Sequence, residues 1–477
     1  TVLLQIFRYL DINSLLSVAS SCKLLKSVAY IPMLWQNESY DIFSEPGFSD
    51  ATSKSLAERK VNTLKIIWSD SDLDIFSPRC DQGKKNLRKI KAMKSEWTKN
   101  VVKTLIISSN PDYHRSPFNS KVQPLFGVFT GLRCLVLTYT VPYTQDCAKI
   151  GYSEVNQRWV PALSTLVNLE QLVYSVTVDG MHAWVDYEEP PVINFSVLHL
   201  LLQTSAEMKM LKDLTIGNSC WGLFHVKGDI AIQEVPLKQF APNLERLAIA
   251  DGVLGEHFLT VLQQVPHLKH FSFADHGVDT IGRQKFIDQL LSVESLELGG
   301  TVLYPGDDGV NTIPLSVKAL SIGECDWDGT KERVNLQRQI QAGMTNLKVL
   351  ELLITPGNFL RAEHPFLHND HKETVTALCE TIKANEQLCI LILSRTTSYQ
   401  LPDKFHRCIQ RHGKSLTSLL GVDMTHKIDR ECLPSHITFI TDERCPYKRL
   451  PCGCAEDPVS VKQKPRTAHV LLRRSTK

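Results

Sequence analysis

The sequence predicts an α/β chain: a small all-helical module followed by a solenoid of short parallel strands. Three observations carry that reading. An apolar-x-x-apolar-x-apolar pattern returns ten times between residues 102 and 393. Its central copies start 24, 25 and 24 residues apart. The first forty residues carry their apolar side chains at helical spacing instead. Composition agrees: 43% hydrophobic and 22% charged residues exclude collagen-like, coiled-coil and wholly disordered chains. The net charge of +2, from 53 basic and 51 acidic residues, supplies no electrostatic footprint for nucleic acid.

Residues 1–40 read as short helices. Val2, Leu3, Ile6, Phe7 and Leu10 form one apolar stripe. Asp11 breaks it and can cap a second helix bearing Leu15, Leu16, Val18 and Ala19. Leu24, Leu25 and Val28 form a third stripe, and Pro32 opens a last segment ending in Leu34 and Trp35. About forty residues cannot bury a full core alone. The segment therefore docks on something and leaves apolar surface for a partner, or else caps the rest of the chain.

This stretch resembles the F-box. Members run Leu-Pro-x-Glu, an apolar pair, Ile-Phe-x-Tyr-Leu, an Asp, a Leu-rich helix, Val-Cys-Lys-x-Trp and Pro-x-Leu-Trp. Here stand Ile6-Phe7-Arg8-Tyr9-Leu10-Asp11, Ser21-Cys22-Lys23-Leu24-Leu25 and Pro32-Met33-Leu34-Trp35. The leading Leu-Pro is absent, Leu25 replaces the usual Trp, and an upstream piece is expected because the chain opens at Thr1. The resemblance implies docking on the Skp-type linker of SCF ubiquitin ligases, with Leu3, Ile6, Phe7, Leu10, Leu15, Val18, Pro32, Leu34 and Trp35 as contacts. Some of these must form the module's own core instead.

Residues 41–100 read as a linker and a first irregular repeat. Pro46 and Gly47 mark a break. Lys84, Lys85, Arg88, Lys89, Lys91 and Lys94 read as a solvated helix face, since no aromatic interleaves them.

The repeat occupies residues 101–440. Its first positions are Val102, Leu132, Leu169, Leu211, Leu244, Leu268, Val293, Val317, Leu347 and Leu388, with weaker copies at Val61 and Leu416. The ninth positions are mostly small and hydrogen-bonding, as at Asn110, Thr140, Thr177, Ser219, Thr301 and Thr355. The array resembles leucine-rich repeats, whose period is about 20–29 residues. That implies a parallel sheet on the concave face, helices outside, and an Asn/Thr ladder between turns. Alternate strand positions then point away from the core. Arg246, His270, Glu297 and Glu351, with the strand-end acids Asp251, Asp275 and Glu324, read either as contacts for a basic target or as a solvated sheet face.

Catalytic patterns fail. Gly413-Lys414-Ser415 lacks the earlier P-loop glycine, where Cys408 stands. His364, His368, His371 and Asp370 fall in a Pro-containing insertion without a closing ligand. Cys432, His436, Cys445, Cys452 and Cys454 do not form the paired arms of a zinc site. No metal or cofactor is therefore expected, and no enzyme. Thirteen scattered cysteines point to reduced thiols in cytoplasm or nucleus. No apolar run reaches the ~18 residues of a membrane span, and no secretory signal is read. Residues 441–477 read as a basic, disordered tail.

The function expected is a non-catalytic adaptor. It would join an unidentified protein target to the Skp-type linker, and through it to a cullin-RING ligase. The alternative is a repeat scaffold capped by its helical module.

Overall fold

The computed structural model describes residues 2–7, 10, 12–31, 34–35, 39–41, 50–68, 97–109, 126–142, 160–179, 204–205, 207–219, 243–250, 265–275, 290, 292–300, 313–322, 344–353, 376, 378–394, 403–422 and 433–442. They fall in two compact units.

The first unit opens with three helices, α1 (Val2–Phe7), α2 (Ile12–Ser21) and α3 (Lys23–Ala29). These match the three apolar stripes of the sequence. Cys22 caps α3 from extended backbone, its sulfur accepting the Leu25 N–H at 3.4 Å. Helix α4 (Asp50–Glu58) comes next. It ends in a Schellman turn: Lys60 N–H donates to Ala57 O at 3.0 Å, and Val61 N–H to Leu56 O at 3.1 Å. The turn puts Lys60 at φ 57°, and the buried Leu56 and Val61 supply its apolar contact.

Six parallel strands complete this unit: β1 (Ser39–Asp41), β2 (Thr63–Trp68), β3 (Thr104–Ser109), β4 (Cys134–Pro142), β5 (Gln171–Asp179) and β6 (Asp213–Ser219). The second unit has eight: β7 (Arg246–Ala250), β8 (His270–Asp275), β9 (Ser295–Gly300), β10 (Ala319–Ile322), β11 (Val349–Leu353), β12 (Ile390–Ser394), β13 (Ser418–Val422) and β14 (Thr438–Asp442). Every described pairing is parallel between neighbours in sequence. The copies at Val61 and Leu416 are full strands. β1 and β14 extend the sheet beyond the pattern legible in the sequence.

Register explains the repeat. Leu64, Leu105, Leu135, Leu172 and Leu214 stand side by side and are all fully buried. In the second unit Leu247, Phe271, Leu296, Leu320, Leu350, Leu391 and Leu419 do the same. Each such side chain contributes roughly 1.5–3 kcal/mol.

The backbone is tied at the residue after each first position. Arg133 O, for example, accepts the N–H of both Glu170 (2.8 Å) and Gln171 (2.9 Å). Lys103, Glu170, Glu245, Lys269, Glu294, Lys318, Lys348 and Cys389 repeat this.

A side-chain ladder runs one residue before the first position. Asn168 Nδ2 donates to Thr130 O, Asn243 Nδ2 to Lys209 O and Asn346 Nδ2 to Leu315 O, at 2.8–3.1 Å. The shorter Ser292 and Ser316 reach the nearer carbonyls of Leu268 and Val293. At Gly131 the backbone itself comes close, and a Cβ there would lie 2.7 Å from Lys99 O. Of the ninth-position residues, Thr140, Thr177 and Ser219 stand in register across β4–β6, and the others lie outside the described residues.

Candidate docking surfaces

The helical module divides its apolar residues between a core and a surface. Phe7, Leu15, Ala19, Ala29, Leu34 and Trp35 are buried. The Trp35 Nε1–H donates to Ala29 O at 2.6 Å, which seats the ring on the end of α3. In contrast, Val2, Ile6 and Leu24 are 67%, 52% and 65% exposed. Among the described residues only three other large apolar side chains, Val167, Met210 and Leu315, are comparably exposed. Half of that apolar exposure thus sits on two helices of the smallest part of the chain.

This sorts the expected linker contacts. Ile6 is exposed, and Leu3, Leu10 and Val18 are half-buried. Phe7, Leu15, Leu34 and Trp35 belong to the module's interior. Pro32 lies outside the described residues. Val2 and Leu24 stand in the apolar stripes, but no spacing rule marks which side of so short a helix faces solvent.

One feature has no sequence signal. Arg59, just after α4, stacks its guanidinium 4.2 Å from the Tyr30 ring centroid and 4.6 Å from that of Trp35. The two rings meet edge to face at 6.4 Å. Lys26 lies on the Tyr30 ring from α3, at 5.7 Å. An Arg held between two rings ties the helical module to the end of α4. From there the Schellman turn leads directly into β2, where Val61 O accepts the Trp97 Nε1–H at 2.7 Å.

The sheet face opposite the core is the second candidate surface. Arg246 and His270 are register partners across β7 and β8 and are half-buried. Glu297 and Glu351 stand on either side of Ser321 in the next row of the same face. Glu297 is half-buried. Glu351 is buried, at 7% exposure, and its Oε2 accepts the Ser321 hydroxyl at 3.0 Å. Its outward position therefore does not present it to solvent. Ala319, Val349, Ile390 and Ile392 on the same face are buried too. Asp275 ends β8, and Asp251 and Glu324 lie outside the described residues.

In the first unit the equivalent face carries a hydrogen-bonded polar row. Cys134 Sγ donates to Gln171 Oε1 at 3.3 Å, and Gln171 Nε2 to Asp213 Oδ2 at 3.2 Å. Beside it runs an apolar row of Ile106, Val136 and Val173. On the strand-entry edge, charges alternate and pair, with Arg133–Glu170 at 3.5 Å and Lys318–Glu294 at 3.3 Å. Such exposed pairs contribute about 0–1 kcal/mol each.

Among the described residues no group of three His, Cys, Asp or Glu could hold a metal, and no helix is long and apolar enough to cross a membrane. The histidines at 364, 368 and 371, the basic run at 84–94 and Cys432, Cys445, Cys452 and Cys454 lie outside the described residues. His436 is described, with Nε2 3.3 Å from Gly413 O.

Residues 1–38 match the F-box-like family model. No curated protein matches the chain. Among solved structures it is similar to the crystal structure of the leucine-rich repeat-containing protein LegL7 from Legionella pneumophila. That likeness covers 70% of this chain and 87% of that one, at 12% identity and a TM-score of 0.36. The register within β1–β6 and within β7–β14, and not this likeness, carries the repeat architecture.

Proposed function

We propose that this chain is the substrate-recognition subunit of an SCF-type ubiquitin ligase. An F-box-like module followed by strand repeats is the arrangement of an adaptor. The observation that carries the reading is the exposure of Val2, Ile6 and Leu24 on a segment matching the F-box-like model. Helices too small to bury their own apolar faces gain stability by covering them against a partner's helices. The partner proposed is a Skp-type linker, and through it a cullin-RING ligase working in cytoplasm or nucleus.

The adaptor makes and breaks no bonds. It raises the effective concentration of a target lysine near the ubiquitin-loaded enzyme and restricts its orientation. The Arg59 clamp suits that role, since it fixes the linker-binding module to the first repeats. Target contacts are assigned to the half-buried outward residues Arg246, His270 and Glu297, with the strand-end acids Asp251, Asp275 and Glu324. Glu351 acts from beneath through Ser321.

The test is co-purification of the full chain with a Skp-type linker. Ile6→Asp with Leu24→Asp should weaken the complex about a hundredfold or more, since each side chain loses roughly 1.5–3 kcal/mol of burial. The repeat units should melt unchanged. Phe7→Asp is the wrong variant, because Phe7 lies in the core and its change would unfold the module.

A second reading is a leucine-rich-repeat interaction scaffold not coupled to ubiquitination, with the module as a cap. The Arg59 clamp favours it equally well. An intact chain that remains monodisperse alone and ignores the linker would decide for the scaffold.

A further inference from the structure

Two thiols meet on the helical side of the second unit. Cys379 lies in the helical residues 378–384 before β12, and Cys408 in helix α5 (Asp403–His412) before β13. Cys408 Sγ is 3.5 Å from Cys379 O, and Cys379 Sγ is 4.0 Å from Lys404 O. Each sulfur therefore reaches the other helix's backbone, which brings the two thiols together. Lys404, one turn before Cys408 on the same helix, donates its ammonium to Thr376 Oγ1 at 2.8 Å. Cys408 is buried, and Cys379 is partly open to solvent.

We propose that Cys379 and Cys408 are a reversible oxidation site, closing to a disulfide that ties the helices of two successive repeats.

The environment divides the two roles. The neighbouring Cys379 thiol lowers the Cys408 pKa, burial opposes that, and the Lys404 charge lowers it further. The Cys408 thiol, then burial, raises Cys379. Cys408 is thus the more readily ionised of the two, the thiolate being the form that reacts with oxidants, and Cys379 is the resolving thiol. The co-reactant is a small hydroperoxide. The Cys408 thiolate takes its terminal oxygen as the O–O bond breaks, leaving a sulfenic acid and releasing alkoxide or hydroxide, which takes a proton from water. Cys379 Sγ then attacks the Cys408 sulfur, the S–O bond breaks, and the departing hydroxide leaves as water with the Cys379 proton. The pair loses two electrons and the peroxide gains them. Closure brings the two sulfurs to about 2 Å.

The chain offers internal controls. Cys22 is an exposed thiol and Cys389 a partly exposed one, each in a different setting. The full chain is treated with graded hydrogen peroxide, alkylated and mapped as peptides without reductant. The expected result is a peptide linked through Cys379 and Cys408, formed at about tenfold lower peroxide than any change at Cys22. Dithiothreitol should restore both thiols. In Cys379→Ser a sulfenic acid should persist on Cys408 and be trapped by a cyclic 1,3-dione. In Cys408→Ser nothing should be trapped at Cys379. The proposal is overturned if both thiols remain alkylatable once Cys22 is oxidised, or if either links preferentially to another cysteine. The mapping uses the unsubstituted chain, so it decides the matter even where a variant folds poorly.

Discussion

The helical module and the strand repeats use the same residue types in opposite ways. Within each unit's repeats, leucines in register fill a shared interior, and each strand shields its neighbour's. In the module, α1 and α3 have no neighbour to shield Val2, Ile6 and Leu24. The difference is one of size. A repeat array can grow until its apolar face is covered, whereas some forty residues cannot. Apolar side chains left over in the small part are therefore available for a partner, and those in the large part are committed to the fold.

The sharpest way to break that contrast is a pair of truncations. Leu350→Ala removes a fully buried side chain flanked by Leu320 and Leu391 and should cost about 2–5 kcal/mol in denaturant unfolding. Leu24→Ala should shift stability by under about 0.5 kcal/mol and act on linker binding instead. If both changes destabilise the free chain alike, the module's surface is a covered one and the comparison fails.

Next in size is Asn385. Neighbouring repeats place apolar residues such as Leu166, Met208, Val265 and Met344 three before the first position. Asn385 is also buried, but its Oδ1 accepts the Leu347 N–H and its Nδ2 donates to Thr381 O, both at 2.9 Å. It closes the helical residues 378–384 and fastens them to the preceding repeat. Asn385→Leu keeps the volume but orphans a buried N–H, for a cost of about 1–3 kcal/mol. Tolerance of leucine in an unfolding titration would mean the apolar rule holds there after all.

Arg59→Ala tests the join between the two regions. Loss of one guanidinium from two rings should cost about 1–2 kcal/mol, more than the loss of a surface charge would explain. Arg59→Lys should recover only part of it, because a compact ammonium cannot reach both the Tyr30 and Trp35 rings as the broad guanidinium does. Near-ultraviolet circular dichroism of Trp35 reads the clamp directly.

Much of this fold is legible in the residues alone, and the gaps have physical causes. The core rows come from the spacing of Leu347, Leu350 and their equivalents, because a strand's alternation places every second side chain inward. The same alternation puts Glu351 on the outward face correctly but cannot report that it is buried there. The repeat pattern points to an Asn ladder at the ninth position. The described one runs through Asn168, Asn243 and Asn346, where varied residues such as Met210 and Ser292 hide any consensus. The Arg59 clamp joins residues 24 to 29 positions apart with no periodicity to announce it.

The smallest effect falls at the turn into the sheet, and its sign is opposite. Lys60 occupies the left-handed region because the Schellman turn after α4 demands it there. A Cβ in that region costs about 1 kcal/mol, and glycine does not bear that cost. Lys60 is exposed, so its side chain contributes little packing in return. Lys60→Gly should therefore stabilise the first unit, by up to about 1 kcal/mol less the extra entropy that glycine brings to the unfolded chain. Lys60→Ala, which keeps the strain, should not. If glycine instead destabilises, the lysine stem is holding the approach of α4 to β2, and the join between module and repeats rests on more than the Arg59 stack.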